Sequence, residues 1–535
     1  MKRTTLAVAV AAALALAACG NDNDGAASLT ADKTLAFGSE ECWFGGTQTA
    51  TGLDTNRNGV LDADEVTDTT ASCTPNTTFG TTGVRPAFEL ITHLAPVLDD
   101  VTGDHNIEFR RGGFGSDMVG HPTIANRYYA ITDRGPNADL KTDYAPTGKR
   151  FPDPGYVPRI GEFEVTADGQ VIKLREILLK DRSGVNITGL PNPAGLGYTN
   201  EVAFGMDGNP LLVDPALPFD AVTNPTVTDP YGLDAEGLVA LADGTFWVSD
   251  EYGPHIIHYN ADGIEIDRIN AFAADDRRMG GYLLPAEFGK RRPNRGMEGL
   301  TITPDGKTLV GIMQSAMSNP NGPANKSNLT RIVAVDLESK AVAQYLYRQG
   351  IESEDISGQE YSNSAIVALS DTSFLVLERD GAFHRDNPQA FKRVYKIDLR
   401  TVTNLEAITD TGTLAQDAAA GLTIGGQTLE QVVVAGGAAQ AFKAGWDQLA
   451  ALGIRPADKT LVVDMTAEVQ YPHDKMEGLW VINSSTLGVI NDDDFGLWVN
   501  GATFALQQKY LDSANTIIDG NTLYIIDGLD LNPVP

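Results

Sequence analysis

The triplet Glu-Gly-Leu recurs at 236–238, 298–300 and 477–479, each time heading a train of short apolar strands. Residues 236–270 show the unit in full. EGLVAL is an apolar strand, ADG a tight turn and TFWVSDEY a second strand; HIIHYN makes a third and, after another ADG, EIDRI a fourth. Short strands closed by Asp-Gly turns predict an antiparallel meander. The order returns at 298–346, at 362–405 and from 477 onward, where NTLYIID completes it, and a looser copy begins at GSDMVGHPTIANRYYAITDRGPN. An isolated meander cannot bury both of its faces, so repetition at this size predicts blades around an axis. The expected fold is all-β, a β-propeller of about six four-stranded blades over residues 85–535. Segments near 85–112 and 199–213 are candidates for a closing blade. Two insertions interrupt the repeat. Residues 183–230 are rich in Pro, Asn and Gly, and within 406–460 Phe442, Trp446, Leu449 and Leu452 share one helical face. Insertions of this length are candidate lids over one mouth.

The repeat also explains where its acids fall. In an antiparallel blade the start of the first strand lies beside the end of the second. First strands line the channel of a propeller, so these ends converge on one mouth. The first-strand positions are Asp117, Glu236, Glu298, Ser364 and Glu477. The second-strand ends are Asp133-Arg134, Asp250-Glu251, Gln314, Glu378-Arg379-Asp380 and Asn491-Asp492. Two like charges about 4 Å apart repel by roughly 4 kcal/mol at an effective dielectric of about 20, so such a ring needs protons or cations. Oxygen donors without Cys or clustered His point to Ca²⁺ or another hard ion. Glu236, Glu298 and Glu477, with Asp117 and Glu378, are the expected metal ligands. Asp133, Asp250 and Asp492, beside Glu251, are expected ligands or general bases, and Arg134 and Arg379 are placed to hold an anionic substrate. His255, the one histidine next to a repeat motif, is either an acid or a structural hydrogen-bond partner. Turn capping is the plainer explanation for acids at blade ends, but it does not call for Glu at one register in three blades.

Ahead of the repeats, MKRTTLAVAVAAALALAAC has Lys2 and Arg3, a short apolar run and small residues. The run is too short to span a membrane and reads as a secretory signal. Its L-A-A-C ending resembles the bacterial lipobox, which implies removal of the leader (residues 1–19) and a lipid on Cys19. Gly20 in place of Asp favours, by the same resemblance, the outer membrane. The expectation is a soluble body outside the cytoplasm whose only membrane contact is its lipid anchor. Cys42 and Cys73 then remain, and an oxidising compartment favours one disulfide over two free buried thiols. Between them, after a linker at 20–40, lies DTNRNGVLDADE in a small module assigned to 41–84. Asp54, Asn56, Asn58, Asp62 and Glu65 occupy loop positions one, three, five, nine and twelve. The Val60 carbonyl takes position seven, and Gly59 the sharp turn. The preceding ECWFGGTQTATGL is a poor helix, so the helix pair of a calcium sensor is missing. The segment resembles the small calcium-loop modules of bacterial surface lipoproteins, which implies a structural Ca²⁺ rather than a switch. The formal net charge of −31 excludes nucleic-acid binding through a basic face; it suits a collector of divalent cations, though solubility alone also explains it.

DRGPN at 133–137, DAEGL at 234–238, MEGL at 297–300, LVLERD at 375–380 and KMEGLWVIN at 475–483 together resemble the phytase-like, "esterase-like activity of phytase" family of exported bacterial proteins. NDDDFG at 491–496 is similar to that family's closing pattern, with Asp493 where Asn is expected. The resemblance implies a propeller related in outline to calcium-dependent propeller phytases and lactonases, and a site location more than a reaction. The chain has no G-x-S-x-G elbow and no H-E-x-x-H, and PDGKT at 304–308 lacks the upstream Gly of a phosphate loop. What remains is calcium-dependent hydrolysis of phosphate or related esters, with a small anionic substrate. The alternatives are a non-catalytic cell-surface binding propeller with structural calcium, or a lactonase.

Overall fold

The computed structural model describes residues 26–79, 83–84, 90–91, 107, 109–110, 112–197, 199–350, 360–435 and 440–535. Cys19 and its leader lie outside the described residues. The chain divides into two compact units, Met1–Thr77 and Thr78–Pro535.

The small unit is a three-stranded antiparallel sheet of Ala27–Phe37, Phe44–Asp54 and Val66–Cys73. Residues 27–37, expected as linker, therefore form its first strand, pairing from Ala27 opposite Asp54 to Phe37 opposite Phe44. Their Thr, Leu and Phe suit a pleated, half-buried surface. The unit also ends earlier than residue 84. Phe79 is buried in the larger unit, where Val84 pairs with Leu523. Cys42 and Cys73 form a disulfide with Cα atoms 5.2 Å apart. The acidic loop leaves the second strand directly and enters the third through a turn, with no helix on either side.

Five sheets of the larger unit form blades among the described residues, one fewer than the expected six. Their first strands are Asp117–Gly120, Ala235–Ala240, Met297–Ile302, Ser362–Ala368 and Gly478–Asn483. Each neighbours the next and the fifth neighbours the first, which closes a ring. Blades two and three run outward through consecutive strands, whereas blade one places the short strands of residues 138–150 between its second and third. Blade four takes its outer strand, Lys459–Asp464, from beyond the second insertion. Blade five adds Leu523–Ile526, and the Val84 and Leu523 backbones exchange hydrogen bonds at 2.8 and 2.9 Å, so the start of the unit closes its end. Of the two segments expected to supply a closing blade, 85–112 lies mostly outside the described residues and 199–213 is used elsewhere. Val202–Phe204 joins Ala138–Asp139 and Gly148–Arg150 in a separate three-stranded sheet.

Apolar layers fill the gaps between blades, as two-faced sheets require. Ile131 and Ile177 of blade one meet Leu238, Phe246 and Val248 of blade two, and equivalent clusters follow around the ring. Glycine in the Glu-Gly-Leu triplet has a packing reason. A β-carbon on Gly237 would lie 2.5 Å from the Leu300 nitrogen of the next blade, and one on Gly478 2.8 Å from the Met118 nitrogen. The second insertion does not cover a mouth. Its helices Leu429–Val434 and Gln440–Ala451 pack Val432, Phe442, Trp446 and Leu449 against Leu329 and Leu346 on the flank of blade three. No helix among the described residues is long and apolar enough to cross a membrane.

Candidate metal centre at the propeller mouth

Backbone pairing sets which side chains reach the axis. Asp117 faces Ile131, Gly299 faces Ile312, Ala365 faces Leu377 and Gly478 faces Ile490. Gly237 takes the same place in blade two, donating its N–H to the Ser249 hydroxyl at 2.8 Å. Two residues on, strand alternation returns to the same face. That face carries Asp133, Glu251, Gln314, Arg379 and Asp492, one from each blade, and all five line one cavity of about 560 Å³. Glu236, Glu298 and Glu477, each just before its glycine, line it too. In blades two, three and four the register slips at this point, between Ala235 and Leu238, Met297 and Gly299, and Asn363 and Ala365. Such a bulge adds one residue and re-aims it. In blades two and three that residue is the glutamate.

Four of the expected site residues do not line this cavity, each for a reason of register or burial. Asp117 occupies the glycine position of blade one, not the glutamate position. Its carboxylate reaches across to accept the Leu238 N–H at 2.8 Å. Asp250 is one residue short of the axial face. It is fully buried and accepts the backbone N–H groups of Asp234 at 2.9 Å and Gly253 at 3.1 Å, and burial raises its carboxyl to about 7. Glu378, likewise one short, is buried between blades with Lys459, the Tyr347 hydroxyl and the Gly350 N–H. His255 is fully buried and hydrogen-bonds the Leu196 carbonyl oxygen at 2.8 Å; burial lowers its pKa well below the ordinary value and keeps it neutral. Its place is that of a structural partner.

Several residues at the mouth were not singled out from the sequence. Asp234 and Lys475 stand two residues before Glu236 and Glu477, in the segments that lead into the first strands of blades two and five, and line the same cavity. Arg295, Asp494 and Lys149 line it too, at no such spacing. Arg134, expected to hold an anionic substrate, lines the cavity and is paired within the protein. Its guanidinium lies 3.2 Å from Asp234 and 3.2 Å from Glu201, and 3.4 Å from the Tyr252 hydroxyl. Arg379 pairs with Glu477 and donates to the Ser364 hydroxyl at 3.3 Å. Lys475 bridges Asp492 at 2.8 Å and Asp494 at 2.6 Å, and buried Lys509 holds Asp494 from the other side at 2.7 Å.

The charges do not balance. Nine acidic and five basic side chains line the cavity, an excess of four negative charges when all are ionised. Carboxylate oxygens of Asp234, Glu236 and Glu251 lie within 4.8 Å of one another. At that spacing each like-charged pair costs about 3.5 kcal/mol at an effective dielectric of about 20. Without a cation the cost appears as protonation. Burial, then Glu298 and Asp234, raises Glu236 and Glu251 well above the ordinary range, while burial and Glu477 push Glu298 up to about 8. One oxygen each of Glu298 and Glu477 is buried without a hydrogen-bond partner. An oxygen-only donor set with unsatisfied buried carboxylates fits a hard divalent cation.

The loop of the small unit also gathers its acids. Asp54 accepts the N–H groups of Asn58 at 3.0 Å and Gly59 at 2.8 Å, and Gly59 turns the chain at φ +78°. Asp62 accepts from the Asn56 and Asn58 side chains at 2.7 and 2.8 Å. Glu65 closes the loop onto the Thr55 N–H at 2.7 Å, and the Asn58 side chain accepts the Val60 N–H at 2.7 Å.

Similarity to known proteins follows this division. An uncharacterized secreted protein of Arthroderma benhamiae is 31% identical over 240 residues, 39% of this chain; the chain spans 45% of that relative's length. A periplasmic gluconolactonase of Pseudomonas aeruginosa is 11% identical, with 82% of this chain and 99% of that chain covered at a TM-score of 0.27. A protein of unknown function from Dyadobacter fermentans is 9% identical, with 84% and 100% covered at 0.30. Both scores are too low to bear on function. A domain of unknown function, DUF7151, matches residues 28–73, close to the bounds of the three-stranded sheet. The model described as phytase-like, esterase-like activity of phytase, matches residues 110–495, from the first blade through the acidic segment at the mouth. By that match, over most of its length, this chain belongs to the phytase-like family.

Proposed function

We propose that the chain is a Ca²⁺-dependent hydrolase of phosphate or related esters, working at the mouth of its propeller outside the cytoplasm. The observation that carries this reading is the convergence of Asp234, Glu236 and Glu251 within 4.8 Å in a cavity that also holds Arg379, Arg295 and Lys475. Asp234, Glu236 and Glu251 would hold the ion, with Glu298 and Glu477 completing its surroundings. A bound Ca²⁺ would offset the carboxylate excess and polarise an ester oxygen. Arg134 keeps Asp234 aimed at the cavity, while Arg379 and Arg295 draw an anionic substrate to the wall beside Glu298. Asp492 suits a general base, because burial raises its carboxyl to about 6 while Lys475 restrains that rise. Asp54, Asn56, Asn58, Val60, Asp62 and Glu65 would hold a second, structural Ca²⁺. The secreted relative and the leader support a location outside the cytoplasm, with Cys19 as the lipid anchor at the outer membrane.

The purified protein should be assayed on a phosphomonoester, a phosphodiester, a carboxylester and a lactone, with Ca²⁺ and after chelation. Turnover lost on chelation, and reduced at least about 100-fold in Glu236→Gln with the fold retained, supports the reading. A lactone as the sole substrate would change the substrate class. No turnover with Ca²⁺ still bound would favour a binding propeller, a reading that the pairing of Arg134 and Arg379 with protein carboxylates also fits.

A further inference from the structure

Beside the mouth lies a second cavity of about 480 Å³, and Trp498 lines both. Trp498 sits on a hairpin, Leu497–Val499 paired with Leu506–Gln508, that blade five inserts between its second and third strands. It is 40% exposed, while the other four tryptophans are at most 6% exposed. Phe383 meets it edge-to-face with ring centroids 5.6 Å apart. The Arg385 guanidinium covers Phe383 at 4.5 Å, and the Lys509 ammonium lies 5.8 Å from both rings.

The second cavity is lined differently from the mouth. Among the described residues no carboxylate lines it; the buried Lys509 ammonium is taken up by Asp474, Asp494 and Asp519, and the partly exposed Arg385 guanidinium, 3.3 Å from Asp386, is the cation that it offers. Aromatic faces recognise flat or ring-shaped groups, and a guanidinium beside them recognises an anion. Cavities of this size and mixed lining hold small organic ligands. We propose that this cavity is a subsite for the far end of the substrate, and that this end is a ring bearing a second anionic group. The inference rests on the hydrolase reading only in calling the ligand a substrate. Trp498 forms the wall along which such a molecule lies, its ester in the mouth and its ring between Trp498 and Arg385. The class is therefore an aryl or glycosyl ester with an acidic substituent, rather than a small alkyl ester.

Binding separates this inference from turnover. With Ca²⁺ present, 4-carboxyphenylphosphonate, which cannot be hydrolysed, should quench tryptophan fluorescence in the wild type. It should bind about five- to tenfold more tightly than methylphosphonate. Trp498→Phe should abolish the quench, and Arg385→Gln should erase the preference for 4-carboxyphenylphosphonate over phenylphosphonate. If the protein hydrolyses phosphate esters, Trp498→Ala should raise KM for phenyl phosphate with KM for methyl phosphate unchanged. Quenching without any turnover would sustain the subsite and remove the hydrolase reading. Equal affinity for the aryl and methyl phosphonates, or the same quench in Trp498→Phe, would overturn the proposal.

Discussion

The Lys475 ammonium lies 2.8 Å from the Asp492 carboxylate at the edge of the mouth. Burial raises Asp492 to about 6, and Lys475 is the strongest influence holding it down against Asp494 and Glu477. Replacing Lys475 by Met removes that restraint. If Asp492 is the base, the acid limb of kcat/KM should move to higher pH by roughly 1–3 pH units. Activity at about pH 7 then falls while activity at alkaline pH recovers. A pH–rate profile measures this, and an unmoved limb would release Asp492 from the role.

A protonated mouth makes the metal-free protein sensitive to pH in a definite direction. The folded pKa of Glu298 is raised to about 8 by burial and Glu477, and its unfolded value is about 4.5. Its stabilising share is complete below about 4.5 and is lost as pH rises through about 8. Glu298→Gln resembles the protonated form at every pH. After chelation it should match the wild type near pH 4.5 and exceed it by roughly 1–3 kcal/mol near pH 8. Ca²⁺ should remove the wild type's deficit at high pH. Denaturant melts at the two pH values decide the matter, and a gap independent of pH would show that Glu298 is ionised without metal.

The meander, the axial mouth and the three glutamates are legible in the sequence because strand alternation has a fixed period of two. The errors come from register, where a slip of one residue reverses every side chain. DRGPN and DEYGP align by eye on their aspartates, but backbone pairing matches Asp133 with Glu251 and sends Asp250 into the blade. Asp117 fails for the same reason, as it replaces a glycine and not a glutamate. Arg379 was legible as a mouth residue, but its pairing with Glu477 was not, because that contact joins residues 98 apart in sequence. Of the candidates for a closing blade, the segment near 199–213 instead pairs Val202–Phe204 with Gly148–Arg150, and no period in the sequence marks which edge a short strand will choose.

The tight packing of Glu-Gly-Leu against the neighbouring blade makes its glycine a stability element. A β-carbon on Gly237 would sit 2.4 Å from the Ser249 hydroxyl and 2.5 Å from the Leu300 nitrogen. The hydroxyl can move, but the backbone of the next blade cannot. Gly237→Ala should destabilise the propeller by about 1–3 kcal/mol, and Ser249→Ala should not rescue it. Urea midpoints of the two single variants and the double variant test this. Full rescue would place the constraint in the side chain instead of the ring.

Glu65 tests whether the loop of the small unit is a metal site separate from the mouth. Without an ion its carboxylate is held below the ordinary range, first by the Thr55 hydroxyl and also by backbone N–H groups of Asp62, Asn56 and Thr55. Those donors also fix its place at loop position twelve, where a Ca²⁺ loop needs a carboxylate with two oxygens. Glu65→Gln keeps the shape and one acceptor but loses the charge. Titration calorimetry of the full protein should show one fewer bound Ca²⁺, with kcat and KM at the mouth unchanged. A loss of activity in step with the lost ion would mean that the two sites are coupled. An unchanged stoichiometry would mean that the loop holds itself together by these hydrogen bonds alone.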